Sequence, residues 1–445
     1  MIRCTGLPSP TPSDANREPE NERLRRKVAR RILPFVFILY VIAYLDRTNI
    51  SFVRVPISEE LGFSEAVYGI GSGVFFLGYF LLQIPGALIV ERWGARRWVG
   101  SILVTWGIVT ALFAFIHSPT EFYAGRLLLG IAQAGFFPGV VVYLTQWFRH
   151  GDRSRAMAGF MVAAPVSLAL GGPLSALMLQ ISSPPFSNWR WVFILQGLPA
   201  VLLGVIAFWY LTDSPRVAHW LEGTERLAVQ EALDLEAGRQ SSSSHTWWSA
   251  LRNPQVIVLC VAYGLINIAG YGYIFWLPTT LRSTLQLSAG AADAASCLPW
   301  ALAVFVMLFA GRSSDRTGRP RLHACVPLVC GGLFFALSSL AGQPPWLAFA
   351  WLCLTGSTGS FGWMPGFWML PTSLSAGPAR AASVGLINAI GNLGGFVGPA
   401  IIGYLRTRFE PNHALVLVVS LSWLMAALLI GLVKHPRTSG YLPPN

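Results

Sequence analysis

The chain has 445 residues, of which 53% are hydrophobic and 12% charged, and it carries a net charge of +12; soluble domains carry about 25% charged residues. This excludes a soluble globular domain, a disordered chain and a disulfide scaffold, and the basic residues gather on no soluble face that would bind nucleic acid. The apolar residues suffice for about a dozen membrane-spanning helices of roughly 20 residues each, in keeping with a mean hydropathy of +0.53.

Residues 1–31 read as a polar, disordered N-terminus without a signal-peptide pattern. Twelve apolar runs follow, over 32–53, 67–90, 98–117, 121–148, 155–181, 191–211, 254–278, 291–310, 322–341, 345–370, 381–405 and 412–433, each long enough for a spanning helix. An all-α integral membrane protein is the expectation. The tenth run is the least regular, because Gly356, Gly359, Gly362 and Pro365 interrupt it.

With an even number of spans both termini share one side. Of the 32 Lys and Arg residues, 25 fall in segments on that side and 5 on the other, so the positive-inside rule makes the termini cytoplasmic in a cell membrane (inner or plasma). The six cysteines are scattered without a CxxC and read as small buried hydrophobes. No metal ligand set and no cofactor are expected, and the partners implied so far are the lipid bilayer and no nucleic acid.

Residues 212–253 form the one long polar stretch after residue 31 and divide the chain into a six-helix bundle over 32–211 and another over 254–434, followed by a tail at 435–445. The loops after the second and eighth spans match. Glu91-Arg92-Trp93-Gly94 superposes on Asp315-Arg316-Thr317-Gly318, 224 residues later, about half the chain length. Two halves with matched loops suit a transporter built from repeats around a midplane site. The motif G-x-x-x-D-R-x-G-R is intact at Gly311, Asp315, Arg316, Gly318 and Arg319, and degenerate at Ala87, Glu91, Arg92, Gly94 and Arg96. It resembles the loop signature of the major facilitator superfamily, whose acid would accept from Arg and cap a helix end, latching the halves. A merely solvated turn is the bland alternative.

RRILPFVFILYVIAYLDRTNISFV (30–53), FFLGYFLLQIPGALIVERWGARRW (75–98), GRLLLGIAQAGFFPGVVVYLTQWF (125–148) and WYLTDSP (209–215) are similar to the anion:cation symporter family of that superfamily. The resemblance implies a monomeric secondary transporter that carries a small organic anion, such as a carboxylate or sugar acid, by alternating access with a proton. A non-transporting sensor of the same fold and an anion exchanger or efflux carrier are the alternatives. No P-loop and no nucleophile–base set is present, so neither direct ATP drive nor an enzyme is expected.

Three charges fall well inside spans, namely Asp46, Arg47 and Arg126. A charge at mid-bilayer costs about 2.5–3.5 kcal/mol on insertion scales, which makes each a functional-site candidate. The resemblance assigns the proton to Asp46 and the substrate anion to Arg47, and Arg126 and Gln133, two turns apart on one face of the fourth span, are further candidates for substrate contact across the cavity. A helix–helix salt bridge is the rival reading for Asp46 and Arg47, and snorkelling to the interface for Arg126. In AQAGFFPG (132–139) this chain has Gln133 where the family commonly has Glu. Gln keeps the shape but cannot titrate, so one proton per substrate makes uptake of a monoanion electroneutral. Tyr44 and Tyr79 resemble family positions that touch substrate. Asn267, which shares a face with Tyr271, and the pair Asn388 and Asn392 are further lining candidates, with helix–helix bonding or packing as the alternative. Trp363, beside the break in the tenth span, is one more candidate for lining the site. The glycines of GNLGGFVG (391–398) read as a close-packing stripe.

Overall fold

The computed structural model describes residues 12–181, 183–237, 253–374 and 378–433, with some side chains, that of Glu91 among them, outside the described set. The N-terminal helix α1 (Pro12–Thr48) is followed by the short α2 (Arg54–Leu61), then α3 (Glu65–Trp93), α4 (Ala95–Phe113), α5 (Pro119–Gln133), α6 (Phe136–Thr145), α7 (His150–Met161), α8 (Ala163–Met178) and α9 (Asn188–Tyr210). Helix α10 (Gly223–Ala237) lies in the polar linker. The second group comprises α11 (Pro254–Leu285), α12 (Ala289–Ala295), α13 (Cys297–Thr317), α14 (Pro320–Ser338), α15 (Pro345–Thr355), α16 (Met364–Leu374), α17 (Pro378–Asn392), α18 (Gly394–Leu405) and α19 (Pro411–Leu432).

All twelve apolar runs are helical, and among the described residues ten helices are long and apolar enough to cross a membrane. Several are broken where glycine or proline weakens the hydrogen-bond ladder. The fourth span divides at Ala134–Gly135, ahead of Pro138, whose ring nitrogen cannot donate. The tenth contains a π-helical stretch, Gly356–Gly362, between α15 and α16, which is the irregularity its glycines foreshadow. Such breaks survive in a membrane where neighbours or a cavity satisfy the backbone.

One expectation needs correction. Residues 12–31 are not disordered but form the first part of α1, and residues 223–237 of the linker are helical too. The two segments hold each other. Lys27 Nζ donates to Glu225 at 2.6 Å, and this bond, aided by Lys27's charge, draws the Glu225 pKa below the usual carboxylate range. Residues 1–11, 238–252 and 434–445 lie outside the described residues, and with them most of the tail and part of the linker.

The second matched loop forms no acid–Arg latch among the described residues, and the Glu91 side chain of the first lies outside them. At the first, Gly94 sits at φ +81°, and the helix end behind it is capped by Asp213 of WYLTDSP, whose Oδ1 accepts from Arg96 N–H at 2.8 Å. Arg92 is exposed. At the second, Gly318 closes α13 at φ +62°, while Asp315, Arg316 and Arg319 are exposed and Asp315 makes no ion pair among the described residues. Gly311, farther back on the helix, lies against Pro365. In this state the capping acid of the first loop comes from the end of the sixth span.

The two groups of helices meet most tightly at the end remote from the linker, here called the distal end, which the charge rule places outside. Glycines bring the backbones together there. A Cβ on Gly69 would fall 2.4 Å from Pro399 O, one on Gly403 2.5 Å from Glu65 O, and one on Gly73 2.8 Å from Phe396 O, while within the second half Gly394 and Gly398 lie as close to the backbone of Gly264 and Ile268. The stripe over 391–398 thus packs as its spacing suggests. Charges close the same end. The Glu65 carboxylate takes Arg54 from its own half, and from the other half Arg406 Nε at 3.1 Å and Trp276 Nε1 at 3.3 Å. Arg54 also donates to Thr279 across the seam at 2.6 Å, and Tyr68 Oη donates to Phe275 O at 3.2 Å.

Glu65→Gln removes the counter-charge of two largely buried guanidiniums. A charge-assisted bond is worth about 1.5–3 kcal/mol, and the carboxylate's partial exposure points to the lower part of that range. The distal end is expected to open at least tenfold more often, read as a longer distance between spin labels at Thr120 and Ala341 on the opposing rims. An unchanged distribution would show that the glycine packing alone holds the seam.

Candidate functional site

Beneath the closed distal end lies a cavity of about 90 Å³ between the two halves, several times the 10–15 Å³ that one water needs. Among the described residues Arg47 is the only charged one in its lining. The guanidinium comes from the last turn of α1, where Ala43, Tyr44 and Leu39 anchor the helix in the core. Its Nε and Nη2 both donate to Gln133 Oε1, at 3.2 and 3.0 Å, and Nη1 reaches Tyr271 Oη at 3.5 Å across the halves. The carbon at its centre stands 4.8 Å from the Tyr79 ring, 5.2 Å from Phe75 and 5.4 Å from Tyr44, within cation–π range.

Gln133 is oriented by its other side. Nε2 donates to Ala43 O at 3.0 Å, so Oε1 must face Arg47. Every hydrogen bond of Arg47 therefore goes to a neutral group. A buried cation without a counter-charge favours an anionic ligand, and the guanidinium fork is shaped for a carboxylate.

Asp46 points elsewhere, as expected for neighbours about 100° apart on a helix. It is 1% exposed, its Oδ1 accepts from Asn49 at 3.4 Å, and its Oδ2 has no partner. Arg126 is fully buried, which overturns snorkelling to the interface. Its Nη2 donates to the carbonyls of Arg47 (3.4 Å) and Ser72 (3.3 Å), whereas Nε and Nη1 have no hydrogen-bond partner. No ion pair joins Asp46 to Arg126 or Arg47 among the described residues. Neither Arg126 nor Gln133 lines the cavity, contrary to their expected contact with substrate; Arg126 supports the backbone at Arg47 from behind, and Gln133 holds its guanidinium.

The other candidates do converge. Tyr44, Tyr79, Asn267, Trp363, Asn388 and Asn392 share the cavity with Arg47. Much of their polarity is already committed. Asn267 Nδ2 donates to Tyr263 O (3.0 Å) and Gly391 O (3.1 Å), Trp363 Nε1 to Ser360 O (3.0 Å), and Asn392 Nδ2 to Asn388 Oδ1 (3.5 Å). Of these amides Asn267 ties two helices together through Gly391 O, the Asn392–Asn388 bond stays within α17, and all three residues border the cavity.

The sequence reading missed the aromatic walls. Tyr40 stacks on Phe160 at 4.3 Å and meets Phe137 at 6.1 Å on one side, while Tyr263 packs against Trp363, Phe367 and Trp368 at 5.2–5.8 Å on the other. Helical spacing carried the signal, because Tyr40 precedes Tyr44 by four and Arg47 by seven, and Tyr263 precedes Asn267 by four and Tyr271 by eight.

Similarity to known proteins agrees with this architecture. The Major Facilitator Superfamily model matches residues 36–399. The chain is 39% identical over 388 residues to a putative tartrate transporter of Agrobacterium vitis, covering 86% of this chain and 88% of that protein. It is 35% identical over 410 residues to the inner membrane transport protein RhmT of Escherichia coli (strain K12), covering 92% and 94%. In fold it is similar to the inward-open xylose transporter XylE from E. coli, with a TM-score of 0.74 at 13% identity over 92% of this chain and 97% of that one. The chain belongs to the Major Facilitator Superfamily, and it is a multi-pass membrane transporter rather than an enzyme.

Proposed function

We propose that this transporter carries a small organic monoanion together with one proton, by rocking two six-helix halves about the central cavity. The observation that carries the reading is Arg47, a cavity-lining guanidinium whose hydrogen bonds all go to neutral partners. The substrate carboxylate takes the guanidinium, and Asp46, buried beside it in sequence but outside the cavity, takes the proton. Tyr271 comes from the second half, so loading Arg47 acts on a contact that joins the halves.

The lining favours a monocarboxylate with an apolar or aromatic body. Its residues include Tyr40, Phe137, Tyr263, Trp363, Trp368 and Met161, and no second cation. A dianion such as the tartrate in the A. vitis relative's name would bury its second carboxylate without a counter-charge, which is costly. It would also import a net −1 against an inside-negative potential, opposed by about 2.3 kcal/mol per 100 mV.

The test is uptake into proteoliposomes with pH gradient and membrane potential set separately, using benzoate, a sugar acid such as galactonate, and tartrate. Benzoate accumulation driven by the pH gradient alone supports the reading. Potential-driven accumulation of tartrate would overturn the stoichiometry, and ligand binding without flux would favour a sensor.

Gln133→Glu is expected to make binding pH-dependent. A carboxylate at position 133 would pair with Arg47 and compete with the substrate, so affinity should fall at least tenfold at neutral pH and recover in acid as the new side chain is protonated. Calorimetric titration at pH 5.5 and 7.5 checks this, and equal affinities at both would mean that Gln133 does not set the charge of Arg47's surroundings.

A further inference from the structure

Asp293 is a buried acid that the proposed transport step does not use. It lies in α12, at the distal seam, and is 3% exposed. The opposing helix α8 packs directly on its backbone, where a Cβ on Gly172 would fall 2.0 Å from Asp293 O. Oδ2 is buried without a hydrogen bond, and no salt bridge among the described residues reaches the carboxylate. The neighbouring Ser296 hydroxyl donates to the backbone oxygen of Asp293 at 2.6 Å, not to its side chain.

A small cavity of about 10 Å³ adjoins it, with room for about one water. Arg282 of α11 is the only other charged group in that lining, which also includes Ser51, Phe52 and Thr279; it is exposed and forms no ion pair with Asp293. The α8 surface offers Gly172 and Ser175 and nothing titratable. The largely buried arginines of the distal end are paired with acids, Arg54 and Arg406 on Glu65, and Arg190 on Glu60.

An ionised carboxylate cannot be sealed into such a place without a partner. Burial of an unpaired charge is far more costly than burial of the neutral acid, so the group takes up a proton instead. When the seam parts, water and the exposed Arg282 become available, and the ionised form is restored.

We propose that Asp293 is a second protonation site, which takes one proton from the distal solution as the seam closes and returns it to the same side as the seam opens. The proton balance is one per closure, and none is carried across. Because the closed state holds one more proton than the open state, the ratio of closed to open rises about tenfold per unit fall in distal pH while the open state remains ionised. Acid on the outer side thereby drives the carrier towards the state seen here.

The experiment uses the full-length carrier with Asp46→Asn, which removes the transported proton's site, and spin labels at Thr120→Cys and Ala341→Cys after replacement of the other reactive cysteines. The distance distribution is measured between pH 8 and 5. Closure should increase steeply with acid, and adding Asp293→Asn, which mimics the neutral acid, should leave the seam closed at every pH. Glu60 stays ionised over this range: burial pushes its pKa up, but hydrogen bonds from Ser187, Trp189 and Arg190 outweigh this and hold it below the usual carboxylate value. His117 and His413, at the same end, are unchanged by Asp293→Asn, so they cannot explain a lost response. A pH response that survives Asp293→Asn, or its absence with Asp293 intact, overturns the proposal. Should Asp293→Asn fail to assemble, Asp293→Ser gives the same two readings.

Discussion

Arg47→Gln is expected to remove substrate binding almost entirely while leaving the protein folded. Gln is long enough to keep a contact with Gln133, and the aromatic rings around position 47 are unaffected, so the packing changes little. The lost interaction is the charge-assisted pair with the substrate carboxylate, worth about 1.5–3 kcal/mol for each such bond, or at least tenfold in affinity per bond. Binding should fall by about two orders of magnitude, read by thermal-shift or calorimetric titration with benzoate. Arg47→Lys is the sharper probe. It keeps the charge but not the fork, and Lys has no second nitrogen with which to hold Gln133 and substrate together. If Arg47→Lys binds as well as the native protein, charge alone is sufficient and the fork carries no recognition.

The architecture was legible because its signals are local. Long apolar runs, the asymmetry of Lys and Arg, and a loop motif repeated near half the chain length each depend on a single segment, and the helices fall where they indicate. Arg47, Tyr44 and Tyr79 were legible for a related reason: an intramembrane charge and its aromatic neighbours stand out against a 12% charged background.

What escaped the sequence depends on the other half of the molecule. Arg126 looks equivalent to Arg47 in one dimension, but the crossing of α3 and α5 turns it onto the carbonyls of Ser72 and Arg47 and away from the cavity. Asp293 stands two residues inside the edge of a predicted span, where an acid reads as interfacial; only the approach of α8 through Gly172 makes it buried. Residues 12–31 look disordered on composition alone, and their helix is held by an ion pair with Glu225, almost 200 residues away. The capping of α4 by Asp213 likewise joins loops that no motif links.

Gln133 ties the binding site to the energetics. With a neutral amide at 133, the cavity keeps the Arg47 charge at all pH values, so substrate binding need not await a proton. In the proposed cycle coupling then rests on Asp46, which sits one residue from Arg47 and outside the cavity, with Oδ2 unpartnered. Asp46→Asn is accordingly expected to separate the two halves of the function. Asn resembles the protonated carboxyl in shape and can still accept from Asn49, so the loaded carrier should reorient freely, and counterflow of labelled benzoate across an equilibrated membrane should persist near the native rate. Accumulation driven by a pH gradient should vanish, because nothing remains to carry the proton with the substrate. The two assays use the same liposomes, which makes their ratio the informative quantity. Retained accumulation in Asp46→Asn would remove this residue from coupling, whereas loss of both counterflow and accumulation would make it part of the conformational machinery rather than the proton site.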